Sequence, residues 1–235
     1  MKMQSIIISF IMREHQFYHE RTDTDTTRLM PKDLKVNKYV FKYQYKLDQK
    51  KRLSFSYATI DDNLMKETNH GNIFGIGYSN NGLGFTQYLS DYPHFDVYQT
   101  DVKYSFKSKL DEVGFKTTML GKFIHLKNKN SNRFSEKADN NYFTVGVKLH
   151  THYEGYHLGA GVYLGKRIFA VMKEGFKVQH HAMEFSKSFM MGIGHAIGDH
   201  AVAHLRYGYH EAKEVPTNND GVTVNNVSLD FVYKF

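Results

Sequence analysis

Long runs of alternating residues dominate this chain, and they constrain its fold more than any other feature. Between Tyr39 and Leu47, aromatic or apolar side chains take every second position, with lysine, valine or glutamine between them. The same period of two recurs around residues 98–107, 142–150 and 200–210. A period of two is typical of a β-strand with one apolar face, whereas a helix repeats every 3.6 residues. The sequence therefore predicts an all-β protein.

The predicted strands are numerous and long. Twelve alternating segments lie at about residues 4–18, 36–48, 51–61, 71–79, 83–91, 96–108, 112–127, 140–151, 156–170, 181–197, 201–213 and 222–235. Several exceed the about 5 to 6 residues usual for strands in soluble proteins. A strand that crosses a membrane at a tilt needs about 9 to 11 residues. These lengths favour membrane-crossing strands.

The predicted connections alternate between long and short. Residues 19–35, 128–139 and 171–180 form long connections, whereas the Asn81-Gly82 and Glu154-Gly155 turns are tight. Short turns at one end and long loops at the other are typical of bacterial outer-membrane barrels. Each tight turn also predicts a cross-strand pair on one face, because strand partners must point the same way. These pairs are Tyr78 with Phe85 and His152 with His157.

Composition excludes several other classes of protein. The chain has no cysteine, which excludes disulfides, thiolate metal sites and cysteine nucleophiles. Its longest apolar run, Ile6 to Met12, is shorter than the about 20 residues of a membrane-spanning helix. The run is also a poor signal peptide, because Arg13 and Glu14 follow where small residues are expected.

The last nine residues carry a resemblance to a known class of protein. Leu229, Phe231, Tyr233 and Phe235 take every second position up to the last one, with Ser228, Asp230, Val232 and Lys234 between them. In this the chain resembles bacterial outer-membrane β-barrel proteins, whose last strand ends on an aromatic residue. The resemblance implies one closed antiparallel transmembrane barrel over residues 1–235, with outer-membrane lipids around it. It also implies recognition of Phe231, Tyr233 and Phe235 by the barrel-assembly machinery. A soluble barrel or sandwich of long strands is the alternative.

Charge distinguishes this predicted barrel from a generic one. The formal net charge is +7. The alternation places thirteen cationic side chains on the polar face, opposed there by Asp101, Glu184 and Asp230 only. Lysine and arginine rings are a common device of anion-passing pores. The predicted pore-lining residues are Lys38, Lys42, Lys46, Arg52, Asp101, Lys103, Lys107, Lys116, Lys122, Lys148, Arg167, Glu184, His204, Arg206 and Asp230; Arg13 and Lys234 also fall on this face. Pairing with loop carboxylates or solvation at the rims is the alternative reading.

These features predict a passive channel rather than an enzyme. Small inward residues, among them Gly159, Gly161, Gly192 and Gly194, leave room beside the long cations. The architecture resembles the monomeric twelve-stranded porins for acidic oligosaccharides, without a shared motif. We therefore expect a monomer that passes small anionic solutes, with no cofactor and no bound nucleic acid.

Three alternatives remain open at the level of sequence. The long loops could bind a surface partner on a closed barrel. His150, His152 and His157 could hold Zn²⁺ or Cu²⁺ through their imidazole nitrogens. A lipid hydrolase needs a serine beside a histidine, and Ser186 or Ser188 near His210 would be the candidates. The His-x-Ser arrangement of outer-membrane phospholipases and a G-x-S-x-G motif are both absent.

Overall fold

The alternating segments fold into long antiparallel strands. The computed structural model describes residues 4–16, 34–62, 68–130, 137–172, 177–179, 182–198 and 201–233. The strands are β1 (Gln4–Gln16), β2 (Leu34–Lys46), β3 (Lys51–Asp62), β4 (Gly71–Asn80), β5 (Leu83–Asp91), β6 (Phe95–Leu110), β7 (Val113–Asn128), β8 (Asn141–Tyr153), β9 (Tyr156–Arg167), β10 (Val171–Met172), β11 (Lys177–Val178), β12 (Met183–Ile197), β13 (Ala201–Glu214) and β14 (Asn219–Tyr233). The all-β prediction is confirmed, and each of the twelve predicted strands has a counterpart.

Twelve strands form one sheet in which almost every strand pairs with its neighbours along the chain. The order runs from β1 to β9 and then continues through β12, β13 and β14. The short strands β10 and β11 pair only with each other. Among the described residues no pairing joins β1 to β14, the two outer strands of this sheet. The described part of the chain also contains no helix able to span a membrane.

The tight turns form as the sequence predicts. Asn81 and Gly82 have φ angles of 46° and 89°, which suit the type I′ hairpin. Tyr78 pairs with Phe85 across this turn, and His152 pairs with His157 across the next such turn. The tight turns at 81–82, 111–112 and 154–155 lie at one end of the sheet, here called the short-turn end. The other end, called the long-loop end, carries the long connections, of which residues 17–33, 63–67 and 131–136 lie outside the described part. It also carries two short connections, 92–94 and 215–218.

Burial is inverted relative to a soluble β-protein. On the apolar side of the sheet, here called the outer face, Phe74 and Ile76 are 50% and 53% exposed. On the opposite or inner face, Lys38 and Lys42 are each 4% exposed. The hydrophobic effect in water favours the reverse arrangement, with apolar side chains buried and lysines exposed.

The connection between β9 and β12 lies against the inner face. Its described residues, 168–172, 177–179 and 182, are called the inner segment. Ile168, Phe169 and Ala170 are fully buried, and Phe169 stacks on Phe95 with ring centroids 4.7 Å apart. The prediction that residues 171–180 form an outer loop is therefore wrong for the part described here. The prediction that β9 continues to residue 170 is also wrong, since it ends at Arg167.

The inner segment is held there by apolar packing at the long-loop end. In that region the inner face carries Ile60, Ile73, Val97, Ile124 and Leu126, all nearly inaccessible. These residues and the inner segment form two buried clusters. Burial of a large aliphatic or aromatic side chain contributes about 1.5–3 kcal/mol. The packing therefore favours the segment in its position on the sheet over a position in which it is exposed to water.

Candidate functional site

Polar side chains from separated strands bind the backbone of the inner segment. Gln99 on β6 accepts a hydrogen bond from the Val171 amide and donates one to the Val171 carbonyl, each at 2.8 Å. Lys122 on β7 donates to the same carbonyl at 3.0 Å. From β2, Lys38 donates to the Val178 carbonyl at 3.5 Å. Because β2 and β7 are not neighbours, the sheet must curve around the segment.

An ion pair between a buried lysine and a partly buried aspartate supports this anchor. Lys122 contacts Asp101, its neighbour on β6, through an ammonium–carboxylate hydrogen bond. The Gln99 amide also donates to the Asp101 carboxylate at 2.8 Å. A buried charge needs a partner and further hydrogen bonds to offset the loss of water. Here the partners are arranged so that Lys122 and Gln99 both bind Val171.

Below the inner segment lies a cavity of about 320 Å³. It extends from His152 and His157 near the short-turn end to Met172 and Gln179 of the inner segment. Its wall is formed by β8, β9, β12, β13, β14 and the inner segment.

Three glycines on two paired strands line this cavity. Gly159 and Gly161 lie on β9, and Gly192 lies on β12. Gly159 is directly opposite Gly192 in the register. We call these three residues the glycine floor; Gly194, also on β12, is not part of the cavity wall. Glycine weakens a strand and often marks a close approach by another group.

Cationic and imidazole side chains from the flanking strands lie over the glycine floor. Lys148 of β8 is opposite Gly161, and a Cβ added at Gly161 would lie 3.3 Å from Lys148 Cγ. Arg206 of β13 is opposite Gly192, where the corresponding distance to Arg206 Cγ is 3.1 Å. His150 and His204 cover Gly159 and Gly194 in the same manner.

The charge of the cavity wall has one sign. Lys148, Arg167, Lys177 and Arg206 all line it, and among the described residues no aspartate or glutamate does. Walls of low dielectric focus such a field into the cavity. The site is therefore electrostatically suited to an anion.

Arg167 lines the cavity next to the inner segment, which begins at the following residue. It belongs to a network of polar groups. Its Nη2 donates to Ser188 Oγ at 2.5 Å, and His210 Nδ1 lies 2.6 Å from that oxygen. Asn226 Nδ2 lies 3.0 Å from His210 Nε2. The guanidinium also lies 5.3 Å from the Tyr163 ring centroid. Within the described part of the chain, Arg167 Nε and Nη1 have no hydrogen-bond partner.

The serine–histidine contact differs from what a hydrolase requires. A nucleophilic hydroxyl must face its substrate, but Ser188 is buried and is not part of the cavity wall. Its oxygen is occupied by Arg167, and the Ser186 hydroxyl instead donates to the Glu211 carbonyl at 3.4 Å. The arrangement therefore positions the Arg167 guanidinium and the His210 ring.

Histidines gather at the short-turn end of the cavity. The His152 and His157 ring centroids lie 4.3 Å apart, and those of His157 and His204 lie 5.9 Å apart. Across the described ranges, no three histidine or carboxylate side chains converge closely enough to hold a metal ion. The cluster makes this end of the cavity polar.

The predicted pore-lining residues divide between two places. Lys148, Arg167, His204 and Arg206 line the cavity, whereas Lys38, Asp101 and Lys122 hold the inner segment. Lys42 is buried, and the remaining predicted cations are half-buried or exposed: Lys46, Arg52, Lys103, Lys107 and Lys116. The side chains of Asp230 and Tyr233, and all of Phe235, lie outside the described part. Phe231 is exposed on the outer face.

One predicted inward acid is placed differently. A register irregularity between Phe185 and Lys187 shifts the alternation in β12. Phe185 thereby faces Arg167, with its ring 5.4 Å from the guanidinium carbon. Glu184 instead pairs with Lys166 at 2.9 Å and is not part of the cavity wall.

Gln99, Tyr163 and the inner segment are functional features that the strand pattern alone did not identify. The available signal is a loss of alternation at the long-loop end. There, consecutive apolar residues such as Phe123 and Ile124 make both faces of the sheet apolar. A strand that is apolar on both faces is buried on both, so something must cover the inner one.

The chain matches none of the protein-family models, and no curated protein matches it. Its function must therefore be argued from the inner segment and the cavity.

Proposed function

We propose that this chain is an outer-membrane β-barrel protein that admits small anionic solutes to its basic interior, where the inner segment controls further passage. In this proposal β1 closes onto β14, because an unpaired strand edge is not tolerated in lipid. The resemblance of the last strand suggests insertion by the barrel-assembly machinery. The observation that carries the proposal is the inverted burial, with aromatic side chains outside and lysines inside.

The outer face supports a lipid environment. It exposes Phe74, Ile76, Phe85, Phe143 and Val147, each between 48% and 60% accessible. Apolar patches on soluble monomers seldom exceed a few hundred Å², whereas this face continues across successive strands. Lipid contact removes the cost of such a surface in water.

An arginine scan by depth tests the lipid contact. Ile76→Arg, in the middle of β4, should destabilise the folded protein in lipid vesicles by about 2–4 kcal/mol. Leu83→Arg, next to the Asn81-Gly82 turn, is the matched control and should cost about 0–1 kcal/mol. Both changes in the free energy of unfolding would be measured by urea denaturation in lipid vesicles. Equal costs at the two depths would contradict the assignment of this face to lipid.

Charge at the cavity supports the choice of an anion. Lys148 and Arg206 lie over the glycine floor from β8 and β13, and the cavity wall contains no described carboxylate. In a planar bilayer under a KCl gradient, the reversal potential should indicate anion preference. Lys148→Glu together with Arg206→Glu should reverse this preference. Arg52→Glu is the control, because Arg52 is an exposed inner-face residue away from the cavity. This variant should retain most of the anion preference.

The inner segment suggests that passage is restricted in the described state. Replacement of residues 171–178 by a short glycine linker should raise the single-channel conductance severalfold. The control is the double substitution Val171→Ala and Val178→Ala, which retains the segment backbone. Absence of conductance in both the native chain and the linker variant would refute the channel.

A closed interaction barrel is the second candidate. The packing of Phe95, Phe169 and Ile168 at the long-loop end favours it, because a permanently filled interior passes nothing. Its long-loop connections would then bind a surface partner. The linker variant separates the two proposals, since a purely structural segment would unfold the protein on removal without opening a path.

A further inference from the structure

We infer that the cavity over the glycine floor binds one small organic oxyanion, a free solute with a carboxylate or phosphate group and an apolar portion. This inference rests on the proposed function, for which it names the class of solute and the place where the solute is held.

The first argument is that the space is built into the sheet. The three residues of the glycine floor lie on the inner face of two paired strands. Each glycine weakens its strand, and the cavity that they line has a volume of about 320 Å³. At about 30 Å³ per water molecule, this is the volume of about ten waters. Small-molecule sites usually occupy about 300–1,000 Å³, so the cavity suits a small solute.

The second argument is the charge around that space. Lys148 and Arg206 approach the floor from β8 and β13, on opposite sides. Arg167 lines the cavity next to the inner segment, and it is 1% exposed. A buried cation is costly unless an anion or hydrogen-bond acceptors compensate it. An oxyanion in this cavity would offer acceptors to Arg167, whose Nε and Nη1 have no hydrogen-bond partner in the described part of the chain.

The third argument is the apolar lining beside the cations. Tyr163, Met172 and Met190 line the same cavity. The Lys148 ammonium lies 5.7 Å from the Tyr163 ring centroid, so charged and apolar surfaces adjoin. An inorganic ion would leave the apolar surfaces uncovered. An organic anion with a ring or short chain would bury them.

The site also involves the inner segment. Met172 belongs to that segment and forms part of the cavity wall. A solute on the glycine floor would therefore contact the element that we propose to control passage.

Equilibrium binding to the full chain in a neutral detergent tests the inference. The probes are inorganic phosphate and phenyl phosphate, with acetate and benzoate as the carboxylate pair, measured by titration calorimetry. We expect phenyl phosphate and benzoate to bind at least tenfold more tightly than phosphate and acetate. Lys148→Gln and Arg206→Gln should each weaken phenyl phosphate about tenfold. Arg52→Gln is the matched control and should change the affinity less than twofold.

A second pair of variants tests the space rather than the charge. Gly161→Val fills the floor and should abolish phenyl phosphate binding while the charges remain. Gly114→Val is its control, because a Cβ there meets nothing within 4 Å. If Gly161→Val does not fold, Gly161→Ala replaces it, since its added Cβ meets no atom closer than 3.3 Å.

The outcomes separate this inference from the proposed channel. Equal affinity in Lys148→Gln, Gly161→Val and the native chain, or no binding of any probe, overturns the site. Conductance without such binding overturns the site and leaves the channel. Binding without conductance in either the native chain or the linker variant supports the site and overturns the channel.

Discussion

Gln99 should control whether the inner segment stays on the sheet. Its side chain makes both hydrogen bonds that connect it to Val171, donating to the carbonyl and accepting from the amide. Substitution by leucine keeps the size but removes both, together with the hydrogen bond to Asp101. The buried Val171 amide thereby loses its acceptor. The Val171 carbonyl still accepts the hydrogen bond from Lys122.

The expected cost follows from these contacts. A buried amide left without its acceptor costs about 1–3 kcal/mol, and a lost hydrogen bond contributes about 0.5–1.5 kcal/mol. Because leucine recovers some apolar burial, we expect a net loss of about 2–3 kcal/mol. Since about 1.4 kcal/mol corresponds to a factor of ten, release of the segment should rise about 30- to 150-fold.

Limited proteolysis measures this release. Trypsin cleavage after Lys177 reports the released population, because cleavage tracks the equilibrium of opening when reclosing is fast. Gln99→Leu should be cleaved faster than the native chain, while the urea midpoint of the whole sheet changes little. Gln87→Leu is the matched control: Gln87 lies on the next strand and binds Thr100, away from the segment.

One result would refute this reasoning. That result is that trypsin cleaves Gln99→Leu no faster than it cleaves the native chain and Gln87→Leu. The Val171 contacts would then not be what holds the segment. Apolar packing alone would then have to account for its position.

Three further predictions concern stability, each measured by urea unfolding in detergent. Lys122→Met should cost about 1.5–3 kcal/mol because it removes a charged hydrogen bond and leaves the partly buried Asp101 without its cation. The double variant with Asp101→Leu should recover most of this loss, and no recovery would contradict the pairing. Gly82→Val should cost about 1–3 kcal/mol because φ of +89° is unfavourable for a branched residue, whereas Gly114→Val should be nearly neutral. Backbone amides lower the pKa of Asp48 below its ordinary 3.8, so the ionised form stabilises the turn. The advantage of the native chain over Asp48→Ala should be present at neutral pH and shrink as the pH falls through that lowered pKa; a pH-independent difference would exclude this cause.

Much of the sheet could be predicted because the relevant signal is local. The side-chain period of two identifies each strand, and the turn residues set the register of the hairpin. Tyr78 and Phe85 are paired as predicted for this reason. The prediction failed at Glu184, where a register irregularity reverses the faces within one strand. Such an irregularity depends on the neighbouring strands and leaves no periodic signal.

The candidate site was only partly predictable. Alternation places Lys148, Arg206 and the glycine floor on the inner face, and the register then brings them together. Alternation also treats all inward cations as equivalent members of one lumen. In the structure Lys38 and Lys122 bind the inner segment instead, because long-range packing brings Val171 and Val178 to them.

By itself, the sequence determined the strands, their antiparallel order and the two unlike faces, because these depend on residues two positions apart or joined by a tight turn. The tertiary structure decided where the connection after Arg167 lies. Its apolar residues could have packed anywhere, and only the curved sheet places Ile60, Ile73 and Leu126 around them. That placement divides the basic interior into an anchored segment and a cavity. The backbone of the buried segment needs hydrogen-bond partners, and the nearest lysines, Lys38 and Lys122, donate to its carbonyl groups.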